Sequence, residues 1–124
     1  MDAEPGLRAP AGTITVEPEG PDHWVLCLGG DVDTAVATRF TSSRDRRQVV
    51  VDAIDAGSVT FISSSGLALM LLCIEASVAA GRQPVLRAAS RPVERALQLA
   101  GIHEVFARPE SAEGPPSRKD SPAD

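Results

Sequence analysis

Residues 49 to 66 read VVVDAIDAGSVTFISSSG, and the fold class turns on them. Val49-Val50-Val51 is a short, unbroken β-branched run, the pattern of a strand buried on both faces. Asp55 to Thr60 reads as a loop, and Phe61-Ile62 follows. Ser63, Ser64 and Ser65 then precede Gly66 at the head of a helix expected from about Ser64 to Ala80. On that helix Leu67, Met70, Leu71, Ile74 and Val78 fall at helical spacing on one face. Gly81 is a natural stop, and Pro84 to Arg87 is the next strand. Strand, helix, strand makes a crossover unit, with two parallel strands joined in the right-handed sense.

Upstream, Thr13 to Glu17 alternates as a strand, and Glu19-Gly20-Pro21-Asp22 is turn chemistry. Trp24 to Leu28 forms a second strand, ended by Gly29-Gly30, so the two strands pair as an antiparallel hairpin. Asp31-Val32-Asp33-Thr34 supplies caps for a short helix reaching about Ser42, and Ser43 to Arg47 is a turn. Downstream, Ser90 and Pro92 open a helix on which Val93, Leu97 and Ala100 share a face, and Gly101 ends it. Val105-Phe106 closes the domain. The expected class is α/β, one domain with a mixed four- to five-stranded β-sheet packed with α-helices. Residues 1–12 are expected to be a flexible N-terminal segment, 13–107 the domain, and 108–124 a disordered tail carrying Pro109, Pro115, Pro116 and Pro122.

Hydrophobic residues make up 43% of the 124, but aromatics only 3%, so the core must be aliphatic. A net charge of −5 argues against nucleic-acid binding, which needs a clustered basic face. Arg44, Arg46 and Arg47, interrupted by Asp45, read as a solvated turn. Cys27 and Cys73 sit in apolar runs and read as buried free thiols of a reducing cytosol. The start of the chain is polar and Pro-containing, unlike a signal peptide. The longest apolar run, Leu67 to Ile74, is far short of the ~20 residues that a membrane span needs. A cytoplasmic protein without membrane contact is expected.

The serine triplet is the chemical signal. A helix start offers free N–H groups and a positive dipole end, so a serine there suits a phosphate. It equally suits a plain N-cap, and the triplet alone does not separate the two. Ser-Ser-Ser-Gly is not the Gly-x-Ser-x-Gly of a serine hydrolase. His23 and His103 read as surface residues. No metal-ligand spacing and no phosphate-binding Gly-Lys-Ser/Thr loop is present. No catalytic residue, metal or cofactor is assigned, and the chain does not read as an enzyme. Leu69, Leu72 and Cys73, off the main apolar face, belong to the core or to a partner or dimer face.

The wider pattern resembles the STAS domain, and within it the bacterial anti-sigma factor antagonists. Val49-Val50-Val51-Asp52 is similar to that family's strand ending in Asp. Thr60 to Leu67 is similar to its Phe-Ile-Asp-Ser-Ser-Gly-Leu motif, with Ser63 where the family has Asp. Gly29 to Asp33 resembles its early Gly-x-x-Asp turn, and Leu97 to Phe106 its closing rhythm. The resemblance implies a binding module whose partner is an anti-sigma factor that is also a serine protein kinase. It places the phosphorylation acceptor at Ser65 and partner contacts at Asp31, Asp33, Ile62, Ser63, Ser64, Ser65, Gly66 and Leu67, with Gly66 allowing close approach of the partner's backbone. It implies a transcription regulator that is a monomer or weak homodimer. The missing Asp and a short first helix are departures. They keep two other readings open: a STAS-type interaction module that is not phosphorylated, and a small-ligand or nucleotide sensor.

Overall fold

The computed structural model describes residues 11–109. The expected loose segments, 1–12 and 108–124, lie outside those residues except at their inner ends. There, Ala11 bridges to Asp31 and Arg108 pairs with Glu94 at 2.8 Å.

Four strands form one mixed sheet in the order β1-β2-β3-β4. These are β1 (Thr13–Pro18), β2 (Trp24–Val32), β3 (Ala53–Ile62) and β4 (Val85–Ala89). Strands β1 and β2 are the expected antiparallel hairpin, while β2–β3 and β3–β4 are parallel. The helices are α1 (Thr34–Ser42), α2 (Ser64–Ala79) and α3 (Arg91–Leu99). Leu26, Ile54 and Leu86 stand in register across three strands, each at most 1% exposed. They join Met70, Cys73, Val93 and Leu97 in one aliphatic core. Each such side chain contributes about 1.5–3 kcal/mol by leaving water.

Several expectations need correction. Val49–Val51 is not a strand: a 3-10 turn covers Arg46–Val49, and the central strand begins at Ala53 and runs through the expected loop. The valines are nonetheless core, with Val49 and Val51 buried. The Val51 N–H donates to Ser77 Oγ on α2 at 2.8 Å instead of to a strand. Strand β3 tolerates Asp55, Gly57 and Ser58 because β2 pairs along its whole length and the register slips beside them, while β4 pairs only as far as Ala56.

Strand β2 likewise does not end at Gly29-Gly30. Gly30 adopts φ +67° next to a register slip, so the glycine makes a bulge inside the strand. On α2 the buried face carries Leu69, Met70, Cys73, Ala76 and Ser77, with Leu67, Leu71 and Ile74 half-buried and Val78 exposed. The helix is apolar nearly all round, so periodicity did not locate its inner face. Arg44 is only partly solvated: it is half-buried, with its guanidinium over the Phe40 ring, 4.5 Å from the centroid.

The thiols divide. Burial pushes Cys73 up to about 12, whereas Cys27 is only half-buried. Val105 ends a second 3-10 turn, and Phe106 behind it is buried.

Candidate functional site

Strands β2 and β3 end side by side, with Val32 in register with Ile62, and each feeds directly into a helix. Asp33 caps α1, its Oδ1 accepting the Val36 N–H at 2.9 Å. Ser63 caps α2, its Oγ accepting the Gly66 N–H at 3.1 Å. The Ser63 N–H donates to the Val32 carbonyl at 2.9 Å, which ties the two helix starts together. Two positive helix ends therefore meet at one edge of the molecule.

The three serines have separate environments. The Ser63 hydroxyl is committed to the cap. Ser64 is exposed. Ser65 lies in the first turn of α2, half-exposed, facing α1, and its hydroxyl donates to Thr34 Oγ1 at 3.4 Å. That distance is long for a hydroxyl pair, so the Ser65 hydroxyl is the loosely held one in the cleft. A groove of about 230 Å³ runs from it between the two helices, lined by Ala37, Thr38, Thr41, Ala68 and Leu72.

Gly66 is buried, and a Cβ there would stand 2.7 Å from Ile62 Cγ1 and 3.0 Å from Val32 Cγ1. The glycine lets α2 sit down on the ends of β2 and β3, which gives it a reason in packing. Ile62 is 8% exposed, so it and Gly66 support the site from beneath. Asp31 Oδ1 accepts a 2.7 Å bond from Thr60 Oγ1, and Leu67 is half-buried. Asp31, Asp33, Ser63, Ser64, Ser65 and Leu67 thus gather at one end.

Sequence reasoning named Phe61, Thr34 and Leu72 but did not place them at this site. Phe61 is 49% exposed beside this end. Its position next to inward-facing Ile62 on a strand was the available signal. Thr34 and Leu72 complete the cleft through contacts between α1 and α2 that periodicity does not show.

The far end of the sheet is built differently. Arg82 binds both Asp52 oxygens through Nη1 at 2.8 and 2.7 Å and Asp22 Oδ1 through Nη2 at 2.9 Å. The Trp24 N–H adds a bond to Asp52 Oδ2. Partial burial pushes the Asp52 carboxyl up, but these bonds and the Arg82 charge outweigh it and hold the group below its ordinary value. Asp52 is a tie between the hairpin and the end of α2.

Among the described residues no group of three or more His, Cys, Asp or Glu comes together as a metal site. No helix among them is long and apolar enough to cross a membrane. His23 and His103 lie near Glu19 and Glu104, at 4.0 and 3.9 Å, away from the serines in the chain.

Comparison with known proteins agrees with this geometry. No curated protein matches the sequence. Among solved structures, the anti-sigma factor antagonist SpoIIAA in its unphosphorylated form superposes with a TM-score of 0.62 at 19% identity, over 82% of this chain and 90% of that one. The Bacillus cell fate determinant SpoIIAA in its phosphorylated form gives 0.57 at 20%, over 82% and 94%. An anti-sigma factor antagonist from Mycobacterium paratuberculosis gives 0.60 at 19%, over 83% and 89%. At such identities the likeness establishes the fold. The STAS domain model itself matches residues 15–114, from within β1 to beyond the last helix, and the chain therefore belongs to the STAS domain family.

Proposed function

We propose that this protein is a cytoplasmic, non-enzymatic anti-sigma factor antagonist. It docks on an anti-sigma factor of the serine-kinase type through the joined starts of α1 and α2, and phosphorylation of Ser65 ends the docking. One observation carries the choice of residue: of the three serines, Ser65 alone has a loosely held hydroxyl inside the cleft between the helices. A phosphate there adds about −1.5 to −2 charges at neutral pH. The two helix ends favour that charge, and a partner packed over the groove disfavours it through the cost of burying an oxyanion.

The non-switching reading keeps one specific support. Ser63 reproduces the cap that an Asp would make but brings no carboxylate beside Ser65 to orient its hydroxyl or to help hold a kinase's magnesium. Incubation of the full chain with ATP, magnesium and each serine-kinase anti-sigma factor of its source organism, followed by site mapping in a mass spectrometer, tests the switch. Phosphate on Ser65 supports it. A stable complex with no phosphate on any serine favours the non-switching module.

A further inference from the structure

The two edges of the sheet are treated differently. At β4 the outer side is covered in part by the closing segment, since the Leu86 N–H donates to the Ala107 carbonyl at 2.7 Å. Among the described residues, strand β1 pairs only with β2. The strand ends in Glu17 and Pro18, but from Thr13 to Val16 it carries no proline, no charge and no register slip, the usual devices that keep an edge from pairing. Its inward residues Ile14 and Val16 are only half-buried.

Two clefts follow from that incomplete cover. One, of about 460 Å³, has Ile14, Arg39 and Arg44 in its wall, and the other, of about 340 Å³, has Val16, Trp24 and Arg44. Arg44 borders both. Its Nε is buried without a hydrogen-bond partner among the described residues. Neither Arg39 nor Arg44 pairs with a carboxylate there, in a chain whose net charge is −5. An edge with apolar hollows on either side of an unpaired cation is complementary to a strand of alternate polarity carrying one acid between two aliphatic residues.

We infer that β1 is a second docking edge, where an extended acidic–aliphatic segment of a partner protein adds as a fifth strand. Its two aliphatic side chains seat in the clefts, and the carboxylate between them pairs with Arg44. Helix α1 separates this edge from the Ser65 groove: Val36 and Phe40 face the edge, with Arg44 just past the helix end, while Ala37, Thr38 and Thr41 face the groove. Occupation of one leaves the other open.

The probe is a labelled heptapeptide, Thr-Val-Thr-Glu-Thr-Val-Thr, titrated into the full chain while backbone amide spectra are recorded. The amides of Thr13 to Glu17 should shift. Changing the peptide Glu to Gln, or Arg44→Gln in the protein, should each weaken binding roughly tenfold, the scale of a charge-assisted bond. The peptide control needs no protein variant, so misfolding cannot mimic the result. Three results of the titration itself would overturn the inference. They are no saturable binding up to about 1 mM, a weak affinity by ordinary interface standards, equal binding of the Gln peptide, and shifts confined to residues 61–67. Concentration-dependent self-association that shifts the same β1 amides would give the edge to a second copy and would overturn it too.

Discussion

The two ends of the sheet use polar groups in opposite ways. At the Asp52 end, charges are spent on holding the fold: Arg82 clasps Asp52 and Asp22, and buried Ser77 donates to the Cys73 carbonyl at 2.6 Å while receiving the Val51 N–H. At the Ser65 end the bonds are caps and one loose hydroxyl contact. The difference teaches where a modification is tolerated. A group added at the caps meets N–H dipoles and solvent, whereas one added at the clasp breaks paired charges.

The largest stability effect is expected from Ser77→Ala. It leaves the buried Val51 N–H without its acceptor, which costs about 1–3 kcal/mol, readable as a lower urea midpoint. Gly66→Ala should fall in the same range, about 1–3 kcal/mol, because the new methyl overlaps Ile62 and Val32. It is the residue that breaks the comparison, since it stands at the tolerant end yet belongs to the core. A Gly66→Ala protein with an unchanged midpoint would mean that α2 can lift off the strand ends.

Ser63→Ala is expected to cost about 1 kcal/mol through loss of the cap, while Ser63→Asp should keep the midpoint within about 0.5 kcal/mol, because Asp caps as well as Ser does. This pair sharpens the comparison by separating the cap from the missing carboxylate. If Ser63→Asp raises the rate of Ser65 phosphorylation, the lost acid was a kinase aid.

A smaller effect concerns pH. The Asp52 carboxyl is held below its ordinary value of 3.8, so the folded state binds the proton less readily than the unfolded chain. Its contribution is complete above the ordinary value and is lost as pH falls through the depressed one. Glu19 and Glu94, lowered by hydrogen bonds from Arg87 and Arg108, add in the same direction. Thermal midpoints should therefore drop on acidification below the ordinary carboxylate range, and Arg82→Gln should flatten that drop. An identical acid profile in the variant would remove the clasp from the account.

Much of this was legible in the residues. The hairpin, the short capped α1, the crossover through α2 and the Pro-opened α3 follow from alternation, caps and stops that act locally. The central strand was misplaced because local and tertiary preferences part there. Three valines favour a strand, but a partner for the Val51 N–H exists only on Ser77, 26 residues away. Asp55, Gly57 and Ser58 disfavour a strand, yet pairing with β2 along the whole of β3 imposes one. The serine motif located the site, but choosing among its members needed the cap at Ser63 and the contact with Thr34, both products of packing.

The smallest expected stability effect lies where the functional effect is greatest. Ser65→Glu and Ser65-phosphorylated protein should melt within about 0.5 kcal/mol of the unmodified chain, as for surface changes away from the core. Titration calorimetry of the unmodified and Ser65-phosphorylated forms against the serine-kinase anti-sigma factor is the most direct test, with melting measured on the same samples. The account predicts tight binding by the unmodified protein, loss of binding on phosphorylation and matched melting midpoints. Equal affinity of the two forms, or a phosphorylated form that binds less only because it has unfolded, would contradict it.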